Sequence, residues 1–368
     1  MSDILKTEEF LVNMGPQHPA THGVLRLLLT LNGEIVVRSV PHVGYLHRST
    51  EKILENREYI QVIPYLDRMD YLAAMCNELP YVLAMEKLMN IEVPERAQTI
   101  RVIIFELNRI VSHVMWWGNF GLELGAFTPM LYGFREREEG LNLFESISGQ
   151  RLTYNYMRIG GVARNLPEDF PQKAKNFLKI VKEKLKDYDD LITNNVIFQQ
   201  RTKNIGIITP ELAINYGLSG PMLRGSGIKW DVRKGDPYCG YEHYDFEIPA
   251  GEKGDVFDRY MVRYNEIIQS SRIVEQALEK LKAGDIMAKI PKKIAPPKGE
   301  IYFRVESPRG ELGVYIVSDG GTKPYRFKVR APSFCNLSIS EEVMKNCFMA
   351  DLPAIIGSID FILGDVDR

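Results

Sequence analysis

Apolar and polar positions alternate from Glu9 to Val43, and the run "VLRLLLTLNGEIVVRSVPHVG" reads as a β-hairpin turning at Asn32-Gly33. The period then lengthens. "STEKILENREYIQVIPYL" starts at Ser49/Thr50 with acids in its first turn and predicts a helix ending near Pro64. "DRMDYLAAMCNELPYVLAMEKLMN" predicts a long apolar helix kinked at Pro80. In "PERAQTIRVIIFELNRIVSHVMWWGNF", Pro94 takes the first helical position, and Ile100, Ile103, Ile104, Leu107, Ile110, Val111 and Val114 recur at helical spacing. "MLYGFREREEGLNLFESISG" predicts a fourth helix. In the fifth, "DFPQKAKNFLKIVKEKLKDYDDLI", Phe177, Leu178, Val181, Leu185 and Tyr188 line one face and the lysines the solvated other. A sixth spans about Asp258 to Ala283. Strand patterns return in "EIYFRVES", "GELGVYIVSDGG" and "YRFKVRAPS".

The expected fold is therefore α+β: a helical bundle core with small antiparallel sheets in the N-terminal and C-terminal parts. Residues 1–48 form a β-rich domain, 49–290 the bundle with an irregular insertion near 218–257, and 291–368 a β-containing segment with a terminal helix or tail. At 368 residues the chain exceeds one ordinary core, which favours such subdivision.

Composition narrows the function. A net charge of −2 excludes a general nucleic-acid binder. The polar, acidic start is not that of a secretory signal, and no apolar run reaches the roughly 18 residues of a membrane span. Cys76, Cys239, Cys335 and Cys347 form no Cys-x-x-Cys pair, so neither a zinc ribbon nor an iron–sulfur cluster is expected on this chain, and no metal ligand set. No Walker loop, nucleophile motif or dinucleotide fingerprint is present.

Three candidates for chemistry remain. "MGPQHPATHG" carries His18 and His22 four residues apart, but Pro19 and the Gly-Pro step argue for a loop presenting imidazoles, not a helix gripping a metal. Tyr71, three residues after Arg68 in "DRMDY", opens an apolar helix, where a tyrosine is commonly core. Glu123 in "LELGAFTP" is an acid among apolar neighbours, able to cap a helix, pair with arginine or orient a histidine. Loop histidine, helix tyrosine and semi-buried acid could together transfer protons. Spacing alone does not show that they meet.

"MGPQHPATHGVLRLLLTLNGE", "GYLHRSTEK", "DRMDYLAAMCNE", "LGAFTPMLYGFRERE", "RIGGVARNLP", "SGIKWDVRK" and the terminal "GDVDR" resemble, in order, the quinone-site (D, 49-kDa-type) subunits of respiratory NADH–quinone oxidoreductase. That family is related to the large subunit of nickel–iron hydrogenases, whose paired cysteines this chain lacks. The resemblance implies a hydrogenase-like fold whose vacated metal cavity binds quinone, the substrate, beside a small iron–sulfur subunit carrying the terminal cluster. His22 and Tyr71 would hydrogen-bond the two quinone oxygens, His18 would shape the loop, and Glu123 would stand where relatives often carry the aspartate that partners the histidine. Arg48 and Arg68 would lie near the partner's cluster. Thr153 stands where many relatives carry a histidine near that cluster, which implies a cluster potential less dependent on pH.

Further implied partners are the C subunit and the membrane-arm subunit of the quinone channel, with NADH consumed elsewhere in the complex and no homo-oligomer. The place implied is the cytoplasmic face of a bacterial inner membrane, with no activity from the chain alone. The alternatives are the same quinone site fed by ferredoxin or a deazaflavin donor, and a non-catalytic hydrogenase-fold scaffold.

Overall fold

The computed structural model describes residues 8–18 and 23–368. Its first sheet is antiparallel, ordered β1 (Glu9–Met14), β2 (Arg26–Asn32), β3 (Ile35–His42). Leu27, Leu29 and Leu31 alternate inward along β2 and are buried, so the period of two fixes the face. The hairpin forms as expected, but Asn32 pairs with Ile35 and the turn is Gly33-Glu34, one residue later than the sequence suggested. Gly33 supplies the positive φ of 62° that a tight hairpin needs at its first central position.

Helices follow: α1 (Thr50–Leu54), α2 (Tyr59–Leu66), α3 (Ala74–Met89), α4 (Glu95–Glu123) and α5 (Phe127–Ser148). Two expectations need correction here. The predicted helix from Ser49 breaks at 55–58, where Glu58 and Gln61 form a capping box that starts α2 afresh, and Pro64 lies inside α2 instead of ending it. The predicted helix over "DRMDYLAAM" begins only at Ala74, because Asp70 Oδ1 accepts the Leu72 and Ala73 amides and holds 67–73 as turns. Tyr71 is thus a turn residue, not a helical one. Pro94 is the cap of α4, one position before the first turn.

The middle of the chain holds a two-residue ribbon, β4 (Met157–Arg158) and β5 (Gly161–Val162), then α6 (Phe170–Tyr188) and α7 (Val196–Thr202). Short helices α8 (Pro210–Asn215), α9 (Gly220–Gly225) and α10 (Val232–Gly235) account for much of the irregular stretch before α11 (Val256–Glu279). The second sheet is antiparallel, ordered β6 (Gly299–Ser307), β7 (Gly310–Ser318), β8 (Arg326–Arg330). The chain continues through α12 (Pro332–Leu337), α13 (Ser340–Val343), α14 (Leu352–Ile359) and α15 (Leu363–Asp367). This is the α+β architecture that the hydrophobic pattern indicated. Among the described residues no helix is long and apolar enough to cross a membrane.

α4 is the axis of the core. Every residue from Thr99 to Val114 is buried, on all faces, as befits a helix enclosed by α3, α5, α11 and α14. Its buried polar residues are paired. Arg109 Nε meets Glu106 at 3.1 Å, and Arg233 bonds the same Glu106 at 3.0 Å and Asp231 at 2.6 Å. Arg224 joins Glu266 of α11 to Glu306 of β6. The C-terminal segment is equally enclosed, every residue from Ala354 to Asp367 being buried. It reaches back to the first sheet: Val36 N–H donates to Cys347 O at 2.9 Å and Asn346 N–H to Val36 O at 2.8 Å.

Candidate functional site

The candidates fall along that C-terminal segment. His18 is exposed and bridges antiparallel to Gly23, closing the base of the loop. His22 lies outside the described residues. A Cβ placed on Gly23 would stand 3.5 Å from Leu363 Cδ1, so the loop base rests on the start of α15. One residue on, a Cβ at Gly364 would lie only 2.5 Å from the Met69 carbonyl oxygen, so α15 presses directly on the turn that carries Tyr71. Glu123, the last residue of α4, meets the same segment further back, its carboxylate against Gly357 of α14. The three candidate regions thus converge on one buried strip of chain.

Tyr71 stands at the mouth of a buried ionic cluster, 37 % exposed. Beneath it, Arg309 Nη1 donates to Asp70 Oδ2 at 2.7 Å and to Ser112 Oγ at 2.9 Å, while Nη2 reaches Asp360 Oδ1 at 3.3 Å. Asp360 also pairs with Arg263 at 3.5 Å. Burial raises the Tyr71 phenol above its ordinary value, the Asp70 charge raises it further, and Arg309 opposes both. The hydroxyl therefore stays protonated and able to donate at neutral pH. Asp365 of α15 is buried, accepts the Ser333 amide at 3.0 Å, and is lifted to about 6 by burial and by Asp70. Deeper in, His113 Nε2–H donates to Glu266 at 2.8 Å; burial lowers its pKa to about 4, so the imidazole is neutral.

Arg48 and Arg68 do come together, on an exposed edge: Arg48 Nη2 donates to the Arg68 carbonyl at 3.0 Å. Thr153 lies in the loop whose next residues abut this edge from inside. There the Tyr156 and Met157 amides donate to Glu78 of α3 at 3.0 and 2.5 Å, and Asn155 and Arg158 face Asp67, the neighbour of Arg68. Thr153 has a left-handed φ of 51°, a costly conformation for a β-branched residue.

Sequence reasoning missed Asp70, Arg309, Asp360 and Asp365. Asp70 was within reach, as an acid beside the candidate tyrosine. Arg309 sits in a turn with no periodic or motif signal. Among the described residues no three His, Cys, Asp or Glu side chains gather as a metal site. A pocket of about 150 Å³ opens elsewhere, lined by Gly121, Leu124, Ile192, Phe198 and Arg201.

The geometry is that of a helix-cored α+β protein with an open, half-buried polar edge fed by buried charge. Residues 123–298 and 289–368 match the family described as respiratory-chain NADH dehydrogenase, 49 Kd subunit. The chain is 54% identical over 363 residues to the D subunit of the NADH-quinone oxidoreductase of Desulforamulus reducens, covering 99% of each chain. It is 51% identical to the corresponding subunit of Bacillus cytotoxicus and 53% identical to that of Geobacillus thermodenitrificans, each over 99% of this chain and 100% of the relative. The chain belongs to the 49 Kd subunit family of respiratory-chain NADH dehydrogenases, as its motifs suggested.

Proposed function

We propose that this chain forms, with a small iron–sulfur subunit of the complex, the pocket where quinone is reduced. Tyr71 and His22 would donate to the two quinone oxygens, His18 would shape the loop, and Glu123 would support the histidine. The observation that carries this reading is Tyr71 itself, a phenol held protonated at a half-open edge, in the turn that packs through Met69 on α15, the helix on which the base of the histidine loop also rests. Two-electron reduction of a quinone places negative charge on two oxygens and consumes two protons. A phenol and an imidazole aimed at those oxygens stabilise the charge and supply the protons. The Arg48–Arg68 edge would face the partner's terminal cluster, where cations favour added electron density. The C subunit and the membrane-arm subunit of the quinone channel would complete the surroundings, NADH would be oxidised elsewhere in the complex, and the assembly would sit on the cytoplasmic side of the membrane.

The test is Tyr71→Phe in assembled membranes, with NADH:quinone and NADH:ferricyanide activities recorded together. Quinone reduction should fall about 10²- to 10³-fold, the usual loss for one such donor, while ferricyanide reduction survives. Full quinone reduction by the variant would overturn the reading and leave a scaffold role.

A further inference from the structure

The loop between β3 and α1, residues 43–49, carries Arg48 and buries none of its side chains. Val43, Tyr45 and Leu46 are exposed with the rest, so no apolar anchor gives the loop its shape. One residue of the C-terminal segment does. Asp367, buried at the end of α15, accepts the Gly44 amide on Oδ1 and the Leu46 amide on Oδ2, each at 2.7 Å. His47 Nδ1–H donates to the Asp367 carbonyl, also at 2.7 Å. Three loop residues are thereby held by one residue 320 or more positions along the chain. Two amides converging on one carboxylate make short, charge-assisted bonds, stronger than bonds between neutral groups.

Arg48 follows His47 directly, so this grip fixes its backbone, and its Nη2 is fixed at the far end on the Arg68 carbonyl at 3.0 Å. The loop leaves through Ser49 in a left-handed conformation, φ 56°, and Thr50 N–H then donates to the Arg368 carbonyl at 3.3 Å as α1 begins. A serine so placed is strained and keeps that shape only while its surroundings impose it.

We propose that Asp367 is a positioning residue for Arg48: its carboxylate casts loop 43–49 and so fixes where the Arg48 guanidinium stands on the edge it shares with Arg68. The functional consequence rests on the reading that this edge faces the terminal cluster of the partner subunit. A fixed cation near a cluster favours its reduced form, because positive charge stabilises added electron density. Asp367 is itself an anion, so the two ways in which it could act have opposite signs. Acting on the cluster through its own field, its removal would raise the reduction potential. Acting through Arg48, its removal frees the guanidinium to swing into solvent, and the potential falls.

Asp367→Ala, Arg48→Gln and the double variant, compared with the wild type in the assembled complex, test this with two readouts. One is hydrogen exchange of the peptide covering residues 43–49; the other is the midpoint potential of the partner's terminal cluster, titrated by electron paramagnetic resonance. Asp367→Ala should speed exchange of the Gly44 and Leu46 amides at least about tenfold, as loss of a charged acceptor implies, and lower the potential. Arg48→Gln should lower the potential further and leave those amides protected. The double variant should lie no lower than Arg48→Gln, since Asp367 then has no arginine to act through. Unchanged exchange in Asp367→Ala overturns the proposal. A potential that stays level or rises in that variant while Arg48→Gln lowers it, or two losses that add in the double variant, overturns it too and leaves the edge reading standing. A wild-type potential in Arg48→Gln removes the edge reading and the proposal together. Should Asp367→Ala fail to assemble, Asp367→Asn, which keeps one acceptor oxygen, takes its place with the same signs and smaller shifts.

Discussion

Tyr71 owes its place to its neighbours more than to its own contacts. Asp70 holds the turn through two backbone amides and binds Arg309 with its other oxygen, and Gly364 lets α15 lie flat against Met69. A methyl group at Gly364 would overlap a backbone carbonyl that has no rotamer to yield. Gly364→Ala should cost about 1–3 kcal/mol and depress quinone reduction more than ferricyanide reduction, readable as a lowered Tm together with a changed activity ratio. At Gly357 an added methyl would meet the end of the Glu123 side chain and also the Phe120 ring, at 2.8 Å, which is buried and stacked on Trp116. Gly357→Ala should therefore lower Tm as well, and its quinone activity reports what the position of Glu123 is worth. An unchanged Tm and activity ratio in Gly364→Ala would contradict this account of how α15 is seated.

Among the elements, the hydrophobic period located the long helices well, because α4, α6 and α11 bury continuous faces over many turns. It failed between 55 and 73, where local hydrogen bonds from Glu58, Gln61 and Asp70 compete with helix and break it. Such competition leaves no trace in periodicity. The site was legible in the same uneven way. Tyr71, Arg48 and Arg68 lie in readable motifs, but the cluster under Tyr71 joins residues 239 positions apart, Asp70 and Arg309, and no window along the chain connects them. The arginines of the core are the elements' rivets. Arg224 bridges α9, α11 and β6 through Glu266 and Glu306, so Arg224→Ala would leave two buried acids short of a cation. The expected cost is about 3–5 kcal/mol, seen as a sharply lowered Tm or as failure to enter the complex. A mild effect would mean that the acids find other partners.

At the level of the molecule, the two kinds of buried acid pull stability in opposite directions with pH. Glu106 and Glu266 sit below the ordinary carboxylate value against burial, because arginines surround them. Their contribution is present above that value and is lost as pH falls through the folded one. Asp365, raised to about 6, contributes fully below its ordinary value and loses its share as pH rises through about 6. Tm should therefore peak on the acidic side, decline as pH rises toward and through about 6, and level off above it, and Asp365→Asn should flatten that decline. A profile that climbs steadily past neutrality would show that these two sets do not govern stability. The enclosure of residues 354–367 also bears on how the protein is made. The ribosome delivers this strip after the sheet, the turn and the long helix that close around it. Until it emerges, the histidine loop, the tyrosine turn and the end of α4 have nothing to rest on. The upstream elements must wait with that groove open, the kind of exposed apolar surface that chaperones recognise, and the edge that carries Tyr71 takes shape among the last events of folding.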